Sequence, residues 1–166
     1  MSGMNSQKLS QRIKQPGNDR TFEDSEDKFT TFLQENLDST SYEVEIQPKE
    51  LLKCFSGVYG VKPEAVIKNK KTGKRLFIEV KKQGDAGNAE ERVCKYHTKK
   101  FYELMFNTYG YEYHPFVAVF CEKLATNSRY TIKFQDLLES TNYCLWKNYD
   151  KDILKVSLDQ WLKWLD

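Results

Sequence analysis

The sequence predicts an α/β domain, a mixed β-sheet flanked by helices on both sides. Three observations lead there. Apolar stripes at helical spacing lie near both ends of the chain, and two strand-like segments flank a polar turn at its centre. Between them, Pro115 to Cys121 is a near-continuous apolar run of the kind found in strands buried on both faces.

The 166 residues suffice for one domain with a sizeable core, and no composition shift marks a second. Residues 1–20 are polar, with Lys8, Arg12, Lys14 and Arg20 and almost no apolar side chains, and are expected to form a flexible basic arm; residues 21–166 form the domain. From Thr21, Phe22, Phe29, Phe32, Leu33 and Leu37 make one helical stripe, with Glu23, Asp24 and Glu26 in the first turn where they complement the helix dipole. Tyr42 to Ile46 alternates with period two and Pro48 ends it, while Leu51 to Phe55 fits either element. Val61 to Lys68 and Lys74 to Lys81 flank Asn69-Lys70-Lys71-Thr72-Gly73 as a hairpin. Centred between Lys71 and Thr72, it sets Glu64 against Glu79.

Gln83 to Gly87 reads as a loop, and Asn88 as the N-cap of a helix reaching about Thr108, with Val93, Tyr96, Phe101, Leu104 and Met105 as its buried stripe. After the Pro115–Cys121 strand, Tyr130 to Phe134 reads as a strand turning into a short helix over Gln135 to Glu139. Tyr143 to Trp146 is a further strand, and Ser157 is the cap of a terminal helix burying Leu158, Trp161, Leu162 and Leu165.

Composition narrows the function classes. The net charge of +2 neither requires nor forbids a nucleic-acid partner; a binding face must come from uneven placement of Lys and Arg. Cys54, Cys94, Cys121 and Cys144 are widely spaced with no CxxC pair, which argues for reduced core thiols and against zinc or a disulfide framework. No apolar run approaches the roughly 18 residues of a membrane span, and the N-terminus lacks the apolar core of a signal peptide. No membrane association and a cytoplasmic location are expected.

The chemistry concentrates between Lys62 and Arg92. Two carboxylates placed opposite each other on a sheet repel unless something positive lies between them. A divalent cation answers this, because Mg²⁺ takes hard oxygen ligands, commonly one or two carboxylates completed by water and phosphate. Glu79 and Lys81 are two apart on one strand and share a face, so the ammonium lies beside the same site. There it can position the attacking water or steady charge developing in phosphodiester cleavage. An E-x-K triplet alone also describes a solvated strand face. Pro63-Glu64 followed fifteen positions later by Glu79-Val80-Lys81 is more specific.

The stretch from Gly60 to about Trp146, about half the chain, resembles the EcoRI/MunI-like type II restriction endonucleases, a branch of the PD-(D/E)XK nuclease superfamily. The resemblance is carried by Gly60-Val61-Lys62-Pro63-Glu64, by Phe77-Ile78-Glu79-Val80-Lys81-Lys82-Gln83, by Gly87-Asn88-Ala89-Glu90-Glu91-Arg92 and by the strand from Pro115. It implies a Mg²⁺ site held by Glu64, Glu79 and the Val80 carbonyl, with Lys81 acting on the water. It also implies that the helix beginning at the GNAxER element enters the DNA major groove. Asn88, Glu91 and Arg92 would then contact a central AATT, with Gly87 and Ala89 allowing close backbone approach. These residue types suit the task, since Asn pairs with adenine N6 and N7, Glu accepts from an exocyclic amine and Arg donates to purine N7. Asn88 and Glu91 can equally serve as cap and dipole complement.

Two positions depart from the pattern. Glu64 stands where the family has Asp, and Ala86 occupies a position where a MunI-type relative carries an Arg for the outer base pair. The implied function is Mg²⁺-dependent hydrolysis of double-stranded DNA at a short palindrome, leaving 5′-phosphate ends, by a homodimer matched to the two-fold site. The alternatives are a DNA-binding relative impaired by Glu64, a repair or resolvase-type nuclease of the same fold, and an unrelated α/β protein. His97 and His114 are read as structural. Arg129 and Lys133 read as a solvated rim, with phosphate or outer-base contact as the other reading.

Overall fold

The computed structural model describes residues 19–48, 63–83 and 87–166. Residues 1–18 of the arm expected over residues 1–20, the ambiguous Leu51–Phe55 segment, Cys54, the Gly60–Lys62 part of the motif and Ala86 lie outside the described residues, while Asp19 and Arg20 belong to the first helix. Five strands form one sheet in chain order: β1 (Tyr42–Ile46), β2 (Ala65–Asn69), β3 (Arg75–Gln83), β4 (Tyr113–Glu122) and β5 (Tyr143–Trp146). The first three are joined antiparallel, whereas β3, β4 and β5 run parallel, which makes the sheet mixed as expected.

Each face carries its own helices. Helix α1 (Asp19–Asn36) and the C-terminal helix α6 (Lys151–Leu165) cover one face. There Phe29, Phe32 and Leu33 from α1 and Leu154, Leu158, Trp161 and Leu165 from α6 close over Ile67, Ile78, Val80, Val119 and Trp146. The opposite face is covered by α2 (Ala89–Cys94), a 3-10 turn (Lys95–His97), α3 (Lys99–Tyr109), α4 (Lys123–Thr126) and α5 (Ser128–Leu137). Because the side-chain period of a strand is two, residues of β3 alternate between the two cores: Ile78 and Val80 face α1 and α6, and Phe77 faces the 3-10 turn and α3. Among the described residues no helix is long and apolar enough to cross a membrane. Cys121 and Cys144 are buried and Cys94 half-buried, all unpaired.

The central hairpin adopts the expected register, with Ala65 opposite Ile78 and Val66 opposite Phe77. Its turn is built by Asn69, whose side-chain oxygen accepts from the backbone N–H of Lys71 at 2.8 Å and Thr72 at 3.0 Å. Gly73 then takes a φ of 76°, which a side chain would strain.

Three elements differ from expectation. The helix foreseen from Asn88 to about Thr108 is broken. Thr98 is extended (φ −87°, ψ 148°), and its hydroxyl accepts from Phe101 N–H to start α3 afresh. The break lets Tyr96 stack on Phe116 at 4.9 Å and Phe101 pack on the same ring at 6.0 Å. Tyr130–Phe134 is helical, not a strand. Tyr130, Phe134 and Leu138 lie on one buried side, while Ile132 is 56 % exposed, the spacing of a helix and not of a pleat. The terminal helix starts earlier than Ser157. Asp150 caps it, accepting from Asp152 N–H at 2.9 Å, and Ser157 lies in its interior.

The α5 assignment makes a stability test simple. Phe134 stacks on Phe120 at 3.7 Å and is fully buried, so Phe134→Ala should destabilise by about 3–5 kcal/mol. Ile132→Ala should stay within about 0.5 kcal/mol of wild type. Urea unfolding of both variants measures the contrast, and equal losses would argue for a strand with positions 130, 132 and 134 on one side.

Candidate active site and reading surface

The hairpin register, continued one step past Ala65–Ile78, sets Glu64 opposite Glu79. Glu64 N–H donates to the Ile78 carbonyl at 2.9 Å, so the chain ahead of β2 remains fastened to β3. Glu79 is only 6 % exposed, Glu64 is half-buried, and Lys81 projects from the same strand face as Glu79. The Lys81 ammonium forms an ion pair with Glu79 Oε1. All three side chains that the sequence nominated for chemistry are therefore gathered at one end of the hairpin, and Val80 between them turns its side chain into the opposite core.

Negative charge is crowded here. Burial, then the charges of Glu26 and Glu79, push the Glu64 carboxyl up to about 7, against smaller opposing effects from Lys81 and a Gln47 side-chain hydrogen bond. Burial also raises Glu79, opposed by the charge and hydrogen bond of Lys81 and by the Glu64 main chain. Tyr96, from the 3-10 turn, is raised to about 12 by burial and then by the charge of Glu79. Among the described residues no three His, Cys, Asp or Glu side chains converge tightly enough to hold a metal between them. Glu64 and Glu79 offer two side-chain carboxylates, and one or two is the number Mg²⁺ commonly takes.

Past β3 the chain turns into α2. Asn88 occupies the N-cap position (φ −136°, ψ 34°) but makes no side-chain capping bond. Its carbonyl accepts instead from Glu91 and Arg92 N–H, each at 3.2 Å. Asn88, Glu91 and Arg92 are all exposed, and their i, i+3, i+4 spacing sets them on one side of the turn. Ala89 is half-buried, and Glu90 and Val93 are buried behind them.

Sequence reasoning did not single out what holds this turn in place. Gln83, the last residue of β3 and 5 % exposed, accepts from Ala89 N–H at 2.7 Å and donates to the Tyr130 hydroxyl at 2.9 Å. One amide thus ties the strand carrying Glu79 and Lys81 to both α2 and α5. Gly87 makes room for it: its φ is 141°, and a Cβ there would sit 3.1 Å from Gln83 Oε1. On the far side, Glu90 approaches the Lys133 ammonium at 3.5 Å, a second link from α2 to α5. Glu26 and Gln47 were likewise missed as neighbours of Glu64. The only signal that could have found Gln83 was its place within the Glu79–Gln83 motif; nothing local marks the other two.

The remaining polar residues are structural or peripheral. His97 Nδ1 lies 3.3 Å from the Tyr102 hydroxyl, which accepts from Asn142 at 2.8 Å. Lys133 is engaged with Glu90, while Arg129 is exposed at the start of α5.

No curated protein matches the chain. The crystal structure of MunI restriction endonuclease in complex with cognate DNA is similar, with 26% sequence identity and a TM-score of 0.55 over 77% of this chain and 84% of that one. The family model described as type II restriction enzyme MunI matches residues 4–165. The chain belongs to the MunI family of type II restriction enzymes.

Proposed function

We propose that this protein is a Mg²⁺-dependent endonuclease that hydrolyses both strands of double-stranded DNA at a short palindrome with an AATT core, leaving 5′-phosphate ends. The observation that carries the reading is the hairpin register, which brings Glu64 and Glu79 together with Lys81 already bound to Glu79. Glu64, Glu79 and the Val80 carbonyl would hold the metal. The bound ion supplies charge neutralisation for the phosphate and lowers the pKa of water. The hard oxygen donors fit it, and the charges of Glu26 and Glu79, which raise Glu64 after burial does, are what a dication relieves.

The chain's own groups do the rest. Lys81 orients the attacking water and offsets charge developing on the phosphate. Burial of Glu79 keeps that ammonium anchored. Asn88, Glu91 and Arg92, with Ala89 allowing close approach, read the bases from α2, and the similar structure's cognate DNA complex supports the DNA assignment. A palindrome calls for a two-fold protein, so the active form is a homodimer. Glu64 in place of Asp supports a second reading, a DNA-binding relative that cuts poorly. No cutting by the native chain together with cutting by Glu64→Asp would establish it.

Incubation with phage-length DNA and Mg²⁺, then sequencing of fragment ends, tests the main reading. The expected result is fragments sharing an AATT core. Glu79→Ala and Lys81→Ala should lower cleavage by about 10²-fold or more while leaving specific binding in place. Full activity in either variant removes it from the site. Asn88→Ala should narrow the preference for AATT over a one-base variant by about 1–3 kcal/mol without changing the salt dependence of binding. A reduced salt slope with unchanged preference would instead mark a phosphate contact.

The raised Glu64 carboxyl gives a pH dependence of definite sign. The metal needs the carboxylate, and Glu64 is mostly protonated below about 7 in the metal-free protein. The Mg²⁺ concentration giving half-maximal cleavage should therefore rise as pH falls through neutrality. Without metal, an acid raised on folding favours the native state at low pH and loses that contribution as pH rises through its folded value. Glu64→Gln should thus raise the thermal midpoint well above neutrality and lose most of that advantage under acid conditions. A midpoint difference independent of pH would show that Glu64 is not the titrating group.

A further inference from the structure

Gln47 follows β1 with a φ of +47°, a conformation unfavourable for any residue that carries a Cβ. Pro48 comes next, and a residue before proline is ordinarily confined to extended backbone. The neighbour that meets Gln47 here is Glu64. In the β1–β2 ladder Ile46 pairs with Ala65, so the next step sets Gln47 against Glu64. Gln47 N–H donates to the Glu64 main-chain carbonyl at 2.9 Å, and the Gln47 side chain acts on the Glu64 carboxyl, lowering it against the burial that raises it. One residue in left-handed backbone thus holds the Glu64 main chain and has its amide beside the acid.

We propose that Gln47 is a positioning residue for the metal site, its side-chain amide fixing the Glu64 carboxyl in line with Glu79. Glutamate has one more torsion than aspartate, and a carboxyl on that longer stem loses more freedom when held for a metal. A fixed donor behind it removes that freedom in advance, as hydrogen-bond partners of metal ligands generally do. The inference rests on the reading of Glu64 and Glu79 as metal ligands.

Gln47→Gly separates this role from a merely structural one. Glycine accepts the left-handed backbone and keeps the N–H bond to Glu64, so the fold is retained and only the amide is lost. Mn²⁺, as a stand-in for Mg²⁺, is titrated into the full-length protein and the free ion counted by its EPR signal. Gln47→Gly should weaken Mn²⁺ binding by about tenfold or more, with a thermal midpoint no lower than wild type. In a Glu64→Asp background the same change should leave Mn²⁺ affinity unaltered, because the shorter acid does not reach the amide. Wild-type affinity in Gln47→Gly, while Glu79→Ala loses the ion, overturns the proposal and leaves the metal site intact. An equal loss in the Glu64→Asp background, or a lowered midpoint, assigns Gln47 to general structure and overturns it as well. If Glu79→Ala binds Mn²⁺ as tightly as wild type, the metal-site reading fails and this inference with it.

Discussion

The pairing register of the β2–β3 hairpin is the constraint on which the molecule turns. Asn69 sets it by capping two backbone N–H groups of the turn, and Gly73 completes the reversal. Because strand side chains alternate, a one-residue slip of β3 against β2 would swap its faces, sending Leu76, Ile78 and Val80 toward the α2–α5 side and turning Glu79 and Lys81 into the α1–α6 core. The hydrophobic face and the acid pair are thus two consequences of one alignment. Burial of the first supplies the free energy that holds the repelling carboxylates of the second in place, with Lys81 offsetting part of the repulsion.

A second alignment follows from where β3 ends. Gln83 is buried, and its amide uses one end for α2 and the other for α5. A Cβ at Gly87 would crowd that amide, in a backbone conformation that already disfavours a side chain. The Glu90–Lys133 contact adds a charged link between the same two helices. Buried polar contacts of this kind contribute little net stability, yet they are directional, so they fix orientation where apolar packing alone would leave α2 free to tilt. Six residues of helix cannot hold a direction unaided. The exposed Asn88, Glu91 and Arg92 therefore owe their common outlook to residues behind them.

The breaks from expectation share a cause. Tyr130 and Phe134 are four apart, a spacing that fits both a strand and a helix; only the burial of Leu138 and the exposure of Ile132 separate the two. The apolar stripe from Val93 to Met105 is continuous enough to suggest one helix, but Thr98 offers its own hydroxyl to a new first turn and Tyr96 gains a stacked place on Phe116. Ser157 and Asp150 are both good caps by type, and the choice between them lay in Ile153 and Leu154, which carry the helix's packed side back past Ser157.

What the sequence determined alone was local and periodic: the mixed sheet with helices on both faces, the hairpin register, the meeting of Glu64 with Glu79 and Lys81, and the motif that marks the family. Each follows from spacing along the chain, since a turn and two strands dictate who stands opposite whom. Glu26, Gln47 and Lys133 were decided only by tertiary structure. They lie 38, 17 and 43 positions from Glu64, Glu64 and Glu90 respectively, on elements whose approach depends on how helices pack against the sheet. No short-range pattern encodes that packing, because it is settled by the combined burial of both cores and not by any one segment.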